Sequence, residues 1–430
     1  MNKYSFEDIV IPQQGFLRGP FGGDLKKEIF VEKSSDTYKV YEQGVVLNKN
    51  SELGRYYISN EYFNKKMKRF EVKPGDFLVS CSGVNYGAIY QLGDDIEKGI
   101  INQALLRIRL NSQLVDDSYF IYLFKSYIVN MIVGRKGDST IPNFPPLSFI
   151  KKLEFPLPDL KTQKKIGHFL KLIDSKIECN NTINLTLEKM AKKLYDFWFL
   201  NYQFPDEQGR FYKNNNGCFK FSEELNVNIP TNWSVKSLCE IANITMGQSP
   251  DGSSYNESAQ GTIFYQGSTD FGWIFPKVRQ YTTEPARMAK KGDILLSVRA
   301  PVGDMNIANT DCCIGRGLAA LNSKYGFDGF LFYVMKYFKQ VFDRRNSEGT
   351  TFGSITKNDL YSLKLAYPPK ELLEKYDNIV SKYNEMIFIR SMENQKLEEL
   401  RDWLLPMLMN GQISIRDAEE HIAKTFEHNE

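Results

Sequence analysis

Apolar residues recur at alternating steps of four and three in two widely separated stretches of this chain. In the first, after Phe155-Pro156-Leu157-Pro158, they fall at Ile166, Leu170, Ile173 and Ile177 and resume at Leu187, Ala191, Leu194 and Trp198. That spacing is a heptad seam, and no Gly or Pro interrupts it between Gly167 and Leu200. The two remaining seam positions are Asn180 and Asn184, polar residues that cost stability but fix register and partner. At about 1.5 Å per residue such a helix is roughly 50–60 Å long and needs something to pack against. Far downstream, after Tyr367-Pro368-Pro369, the same spacing gives Leu372, Tyr376, Ile379, Tyr383 and Met386, then Leu397, Leu400, Leu404 and Met407. Arg390 and Glu393 fill its gap. Both stretches follow paired prolines, carry a polar break near the middle and end in an apolar cluster containing Trp. This predicts one antiparallel coiled coil made from two parts of one chain. The alternative is two unrelated amphipathic helices on separate cores.

Outside these stretches the period shortens to that of strands, and the pattern repeats. Tyr4-Ser5-Phe6 corresponds to Trp233-Ser234-Val235, and each is followed by a Gly-rich polar run, residues 15–23 and residues 247–252. Lys73-Pro74-Gly75-Asp76-Phe77-Leu78-Val79-Ser80 matches Lys290-Lys291-Gly292-Asp293-Ile294-Leu295-Leu296-Ser297, a Gly-Asp turn feeding an apolar strand. Hairpins with an internal Gly87 or Gly303 follow, then strands near residues 101–105 and 314–318. Each copy next has an aromatic helix, Tyr119–Val133 and Phe330–Phe342, leading through Arg135 or Arg345 into a polar loop. Short strands joined by Gly turns plus one helix predict α+β modules rather than a parallel βαβ array. The predicted order is a module over 1–155, a long helix over 156–202, a connector and second module over 203–366, a second long helix over 367–411 and a charged tail over 412–430.

Bulk properties narrow the chemistry. The 430 residues allow two to four domains, and a net charge of +3 neither demands nor forbids a polyanionic partner. Six cysteines without a C-x-x-C pair fit reduced thiols and a cytoplasmic protein. Three histidines, His168, His421 and His428, leave no pattern for a structural zinc site or a His-based triad. The leading MNKYSFEDIV lacks a signal-peptide pattern, and Tyr119–Val133 is too short and too polar to span a bilayer. Catalytic motifs fare no better. Asn143-Phe144-Pro145-Pro146 has the wrong order for an amine methyltransferase and no glycine loop precedes it. Asp159, Asp174 and Lys176 match a nuclease spacing, but they sit on a helix instead of the neighbouring strands that a Mg²⁺ site needs. Neither glycine run ends in the Lys-Ser/Thr of a P-loop. The predicted chain therefore has no catalytic residues, no metal site and no bound cofactor.

Basic residues offer binding chemistry instead. Lys65, Lys66, Lys68 and Arg69 precede the first Gly-Asp strand, and Lys277, Arg279, Arg287, Lys290 and Lys291 occupy the matching region of the second copy. Arg299 and Arg316 flank its strands, while Arg135-Lys136 and Arg344-Arg345 leave the two aromatic helices. Each is a candidate for neutralising phosphate or reading a guanine edge, or is ordinary solvated charge. Recurrence in two modules of different sequence favours the first reading.

The arrangement resembles the specificity subunit of type I restriction–modification systems. The resemblance is carried by Leu187-Glu188-Lys189 to Phe197-Trp198-Phe199, by the closing run from Leu397 to Gly411, by the connector from Phe204-Pro205 to Trp233, and by Gly19-Pro20-Phe21-Gly22. The first long helix begins with Thr162-Gln163 where that family usually has Glu-Gln, and the second, with Glu374-Lys375, departs further. The resemblance implies a non-catalytic reader of double-stranded DNA in which each module recognises half of a bipartite, asymmetric site. It further implies that the helices, through seam residues such as Ile166, Leu170, Ile173, Ile177, Leu187, Leu194, Trp198, Leu372, Ile379, Met386, Leu397, Leu400 and Leu404, set the half-site gap and dock two modification subunits. Those subunits would carry S-adenosylmethionine and methylate adenine, and restriction/translocase subunits would join for cleavage. Half-sites one helical turn apart, roughly 34–36 Å, lie within the reach of such helices. The rival reading is a scaffold that grips protein with two modules on a coiled coil.

Overall fold

The computed structural model describes residues 2–83, 85–133, 144–206, 208–347 and 354–427. The chain forms two compact units, residues 1–177 with 396–430 and residues 178–395.

In the first unit, strand Asn2–Ser5 pairs antiparallel with Glu154–Leu157 and ties the module's two ends together. One four-stranded sheet runs Phe16–Arg18, Leu105–Ile108, Phe77–Ser80, Ile89–Gln91. A second runs Phe30–Val31, Tyr57–Ser59, Thr37–Tyr41, Gly99–Ile101, and only its last pair is parallel. The helical segment from Asp117 to Val133, capped by the Asp116 carboxylate on the Tyr119 N–H at 3.1 Å, buries Tyr119, Phe120, Leu123, Phe124 and Ile128.

The second unit repeats this plan with one extra short strand. Ser234–Ser237 pairs with Lys364–Tyr367. One sheet runs Ala242–Met246, Leu318–Ser323, Ile294–Ser297, Met305–Ile307. The other runs Tyr255–Asn256, Tyr281–Thr282, Thr262–Tyr265, Cys312–Ile314, Met288–Ala289, again with a single parallel pair, Thr262–Tyr265 with Cys312–Ile314. The helix Asp328–Ser347 buries Phe330, Leu331, Tyr333 and Val334. Two mixed α/β modules of one topology follow from the repeat in sequence. The Gly-Asp turns show why those residues recur. Gly75 and Gly292 sit at φ +82° and +95°, where a side chain is strained. Asp76 accepts the Lys73 N–H at 2.7 Å, and Asp293 accepts the Lys290 N–H at 2.9 Å.

Both long helices form, Leu160–Tyr195, with a wider last turn Asp196–Leu200, and Lys370–Met409. Asp159 caps the first by accepting the Thr162 N–H at 3.0 Å. Buried Gln163 staples it to the module, accepting the Asp116 N–H and donating to the Leu114 and Pro158 carbonyls, all at 3.0 Å. Within the first unit Ile173 and Ile177 meet Leu397, and Arg401 donates to Asp174 at 2.8 Å. Within the second, Asn180 donates to Glu393 at 2.7 Å and to Asn394 at 2.8 Å, Asn184 donates to Ser391 at 3.2 Å, and Tyr195 packs on Tyr376. Partner numbers fall as helix numbers rise, so the pairing is antiparallel in each unit.

The first helix buries its expected seam, except that Leu194 is half-buried and Tyr195 takes the deeper place. The second differs by one residue. Its buried line runs through Leu373, Val380, Ile387, Asn394 and Leu408, with Ile379 and Met386 half-buried beside it. Adjacent apolar pairs (Leu372 and Leu373, Ile379 and Val380, Met386 and Ile387) leave periodicity unable to choose between them. The hydrogen bond of Asn394 with Asn180 makes the choice. Leu372, Tyr376, Leu397, Leu400 and Leu404 are buried as expected. The tail forms a helix, Ile415–Glu427, with Ser414 and Asp417 capping each other and Ala418 and Ile422 laid on the first unit's cores.

Candidate nucleic-acid interface

At one end of each unit the connecting loops converge through matched backbone bonds. The Gly19 N–H donates to Leu105 and the Gly247 N–H to Leu318, both at 2.9 Å. Cys81 donates to Ala104 at 2.8 Å, as Val298 does to Gly317 at 2.9 Å. The Asn102 N–H reaches the Tyr41 carbonyl at 3.0 Å, and Gly315 reaches Tyr265 at 2.8 Å. Phe144 donates to Cys81 at 3.2 Å and Ile355 to Val298 at 2.9 Å. The approach is so close that a Cβ on Gly19 would stand 1.8 Å from the Asn102 oxygen, and one on Gly247 2.2 Å from the Gly315 oxygen. Five loops of each module thus meet at a rigid end whose tips point to solvent.

The tips differ chemically between units. The turn between the two sheets carries exposed Gln103 in the first unit and exposed Arg316 in the second. After the Gly-Asp strand, half-buried Ser82 corresponds to exposed Arg299. Amide side chains are also present: Gln43 donates to Ser80 at 2.7 Å and to the Ser82 carbonyl at 2.6 Å, while Gln266 donates to Ser249 at 3.2 Å. Guanidinium and amide groups on rigid tips are the side chains that read guanine and adenine edges. Reading charge alone misses Gln103. The repeat points to it, since Gln103 occupies the place of Arg316.

The other sequence candidates distribute unevenly. Lys65, Lys66, Lys68 and Arg69 are exposed on helical turns from Asn60 to Phe70, whose Phe63, Met67 and Phe70 are buried. Between the strands corresponding to those that flank this segment, the second unit has only residues 283–287, with exposed Arg287. Lys277 and Arg279 precede that slot, so the two clusters match in sequence order but not in structure. Arg279 is held by Asp270 at 2.7 Å, which raises its pKa and offsets its charge. Arg135 and Lys136 lie outside the described residues; Arg344 and Arg345 lie in the helix Asp328–Ser347, but their side chains are outside the description.

Several charged groups are structural. Lys39 is fully buried, donating to the Ser51 and Glu52 carbonyls at 2.8 and 2.9 Å. Arg107, its pKa pushed down to about 10 chiefly by burial, bonds the Glu71 carbonyl, and Arg109 grips Asp76 at 2.6 Å. The nuclease-like Asp174 accepts from Tyr122 and Arg401, each at 2.8 Å, and Asp159 is a helix cap. Burial pushes the Cys81 and Cys312 thiols up to about 12, which keeps them unreactive. Among the described residues no group of three His, Cys, Asp or Glu side chains could hold a metal ion, and no helix is long and apolar enough to cross a membrane.

The sequence matches the type I restriction modification DNA specificity domain twice, over residues 21–189 and 230–400. The chain belongs to the type I restriction–modification specificity family. Members of this family are the non-catalytic DNA-recognition components of their systems, and this specificity subunit carries two recognition domains. It is 34% identical over 324 residues to the putative type I restriction enzyme MjaX specificity subunit of Methanocaldococcus jannaschii, spanning 73% of this chain and 72% of that one. It is 22% identical over 463 residues to the HindI specificity subunit of Haemophilus influenzae, spanning 91% and 98%. The crystal structure of the S subunit from M. genitalium shares the fold, with a TM-score of 0.60 at 19% identity over 95% of each chain. Each of the two family matches overlaps one copy of the repeated topology.

Proposed function

We propose that each recognition domain of this specificity subunit reads one half of a bipartite, asymmetric DNA site through its converging loop end. The two long helices set the gap between the half-sites and dock two modification subunits. The observation that supports this reading is a single scaffold used twice with different chemistry at its tips, Gln103 against Arg316 and Ser82 against Arg299. A symmetric reader would keep the tips alike. S-adenosylmethionine would be held by the modification subunits, which would methylate adenine, and restriction/translocase subunits would complete the cleaving complex in the cytoplasm. Contacts by the exposed lysines and arginines to phosphate would position the duplex, and tip contacts to base edges would specify it. The test is a domain exchange. Replacing residues 1–155 with the equivalent module of a relative, and sequencing methylated DNA from cells that carry the assembled complex, should change one half of the recognised sequence and leave the other. A change in both halves, or in neither, overturns the assignment.

A further inference from the structure

Phe21 is 84% exposed, the most exposed large apolar side chain among the described residues, the next being Phe221 at 59%. A lone exposed aromatic needs no explanation where its segment is loose, but here the segment is clamped. On one side Pro20 is buried and Gly19 is pressed against Asn102 with a backbone bond to Leu105. On the other, the Asp24 N–H closes a turn onto the Phe21 carbonyl at 2.9 Å, and the Tyr62 hydroxyl donates to the Asp24 carbonyl at 2.7 Å. Leu25 is then buried in the core. The held backbone therefore presents the ring as an apolar projection on the loop end assigned above to DNA, two residues from the close approach of Gly19 to Asn102.

The second unit marks the difference. By the matching bonds of Gly19 and Gly247, Phe21 corresponds to Ser249, which is half-buried and turned inward, accepting the Arg316 N–H and the Gln266 amide, both at 3.2 Å. One module points a phenyl ring outward where the other tucks in a hydroxyl.

We infer that Phe21 is a specificity-determining wedge that enters a base step of the half-site read by the first domain and partly unstacks it. This rests on the proposed DNA reading of the loop end. Apolar wedges of this kind trade unstacking for a bent duplex that touches more protein, and pyrimidine–purine steps yield most easily. The first half-site is accordingly read partly through deformability at a step where no hydrogen bond specifies the base, and the second half-site is not.

The experiment uses the full chain assembled with its modification subunits and a duplex bearing the motif found methylated in cells. 2-Aminopurine is placed in turn at each step of both halves. The wedge gives a fluorescence rise at one step of the first half only. Phe21→Ala abolishes that rise and weakens binding roughly tenfold to a hundredfold, the range for losing burial of one phenyl side chain, with an unchanged salt slope. Phe21→Leu keeps most of both. Being exposed, position 21 tolerates these changes, which an unaltered melting temperature verifies. Site-specific binding by wild type with no such rise, or with Phe21→Ala binding equally well, overturns the wedge and leaves the recognition reading standing. Absence of sequence-dependent binding by the wild-type complex overturns both.

Discussion

The paired Gly-Asp turns allow one substitution to be made twice in the same scaffold with different expected costs. Asp76 is 3% exposed and faces two guanidinium groups, Arg109 at 2.6 and 3.0 Å and Arg107 at 4.0 Å, whose side chains are 12% and 4% exposed. Asp76→Asn keeps shape and volume but leaves those cations in a dry site without their carboxylate. Removing one partner of a buried pair costs about 3–5 kcal/mol, most of it the stranded charge. Asp293, 7% exposed, meets neutral donors, the Lys290 N–H and the Asn322 amide at 2.9 Å each. Asp293→Asn strands no cation but forfeits charge assistance and turns one of the two accepting oxygens into an amide donor facing a donor, about 1–3 kcal/mol. The midpoints differ by about 2 kcal/mol, roughly thirtyfold in an opening equilibrium. Hydrogen exchange read by mass spectrometry separates the units, because strands Phe77–Ser80 and Ile294–Ser297 give distinct peptides. Protection at residues 77–80 should fall far more in Asp76→Asn than protection at 294–297 falls in Asp293→Asn. Asp76→Asn combined with Arg109→Met should recover part of the loss. Equal losses in the two units, or no recovery, would refute the stranded-charge account.

Other outcomes follow from the same geometry. Asn180→Leu alone takes a donor from both Asn394 and Glu393 and should cost about 1–3 kcal/mol in urea melts, and adding Asn394→Leu should recover only part of it, because Glu393 and Asn181 still lack those amide donors. Burial first, and then neighbouring Asp328, raise the Asp377 pKa above 3.8, and its Oδ1 has no hydrogen-bond partner. Its contribution to stability is thus present below the unfolded value and lost as pH rises through the folded one. Asp377→Asn should therefore raise the melting temperature at neutral pH, with the gain vanishing once pH drops below that unfolded value. Arg299→Ala and Arg316→Ala should each lower the salt slope of DNA binding by about 0.9 if the lost contact is to phosphate. If it is to a base edge, the expected result is relaxed specificity at one position of the second half-site with the slope unchanged.

The repeat and the long helices were legible because they rest on backbone necessities that sequence records directly. Gly75 and Gly292 mark left-handed turns, Gly87 and Gly303 the hairpin bends, and the 4-3 spacing a buried helix face. What escaped was of two kinds. The one-residue shift of the second seam depends on the polar contact between Asn180 and Asn394, a tertiary fact that no local period contains. The loop end depends on which strands become neighbours, so Gln103 looks ordinary, and Phe21 only part of a Gly-Pro-Phe-Gly entry, until Leu105 and Leu318 are seen to hold matching loops. Charge density picked out Lys65 to Arg69 because they are adjacent in sequence. Their adjacency comes from a helical insert whose opposite face carries Phe63 and Phe70 into a core.

The division between clamped backbone and open tips has an energetic consequence for how such a reader changes its sequence preference. Gly19 and Gly247 have no room for a Cβ, Asp76 and Asp293 each close a turn, and the matched bonds at Cys81 and Val298 tie the loops to the sheets. Changes there strain or uncap the scaffold and cost whole kcal/mol. Gln103, Arg316, Arg299 and Phe21 are exposed side chains on the same backbone, and exposed positions away from such features usually shift stability by no more than about 0.5 kcal/mol. On the proposed reading, stability and recognition are therefore carried by different atoms a few residues apart. A module can exchange a phenyl ring for a tucked hydroxyl, or an amide for a guanidinium, and keep its fold. The two units of this chain are already two such exchanges of one design, which is why substitutions at the tips should alter the bases preferred while leaving melting temperature and hydrogen-exchange protection of the sheets in place.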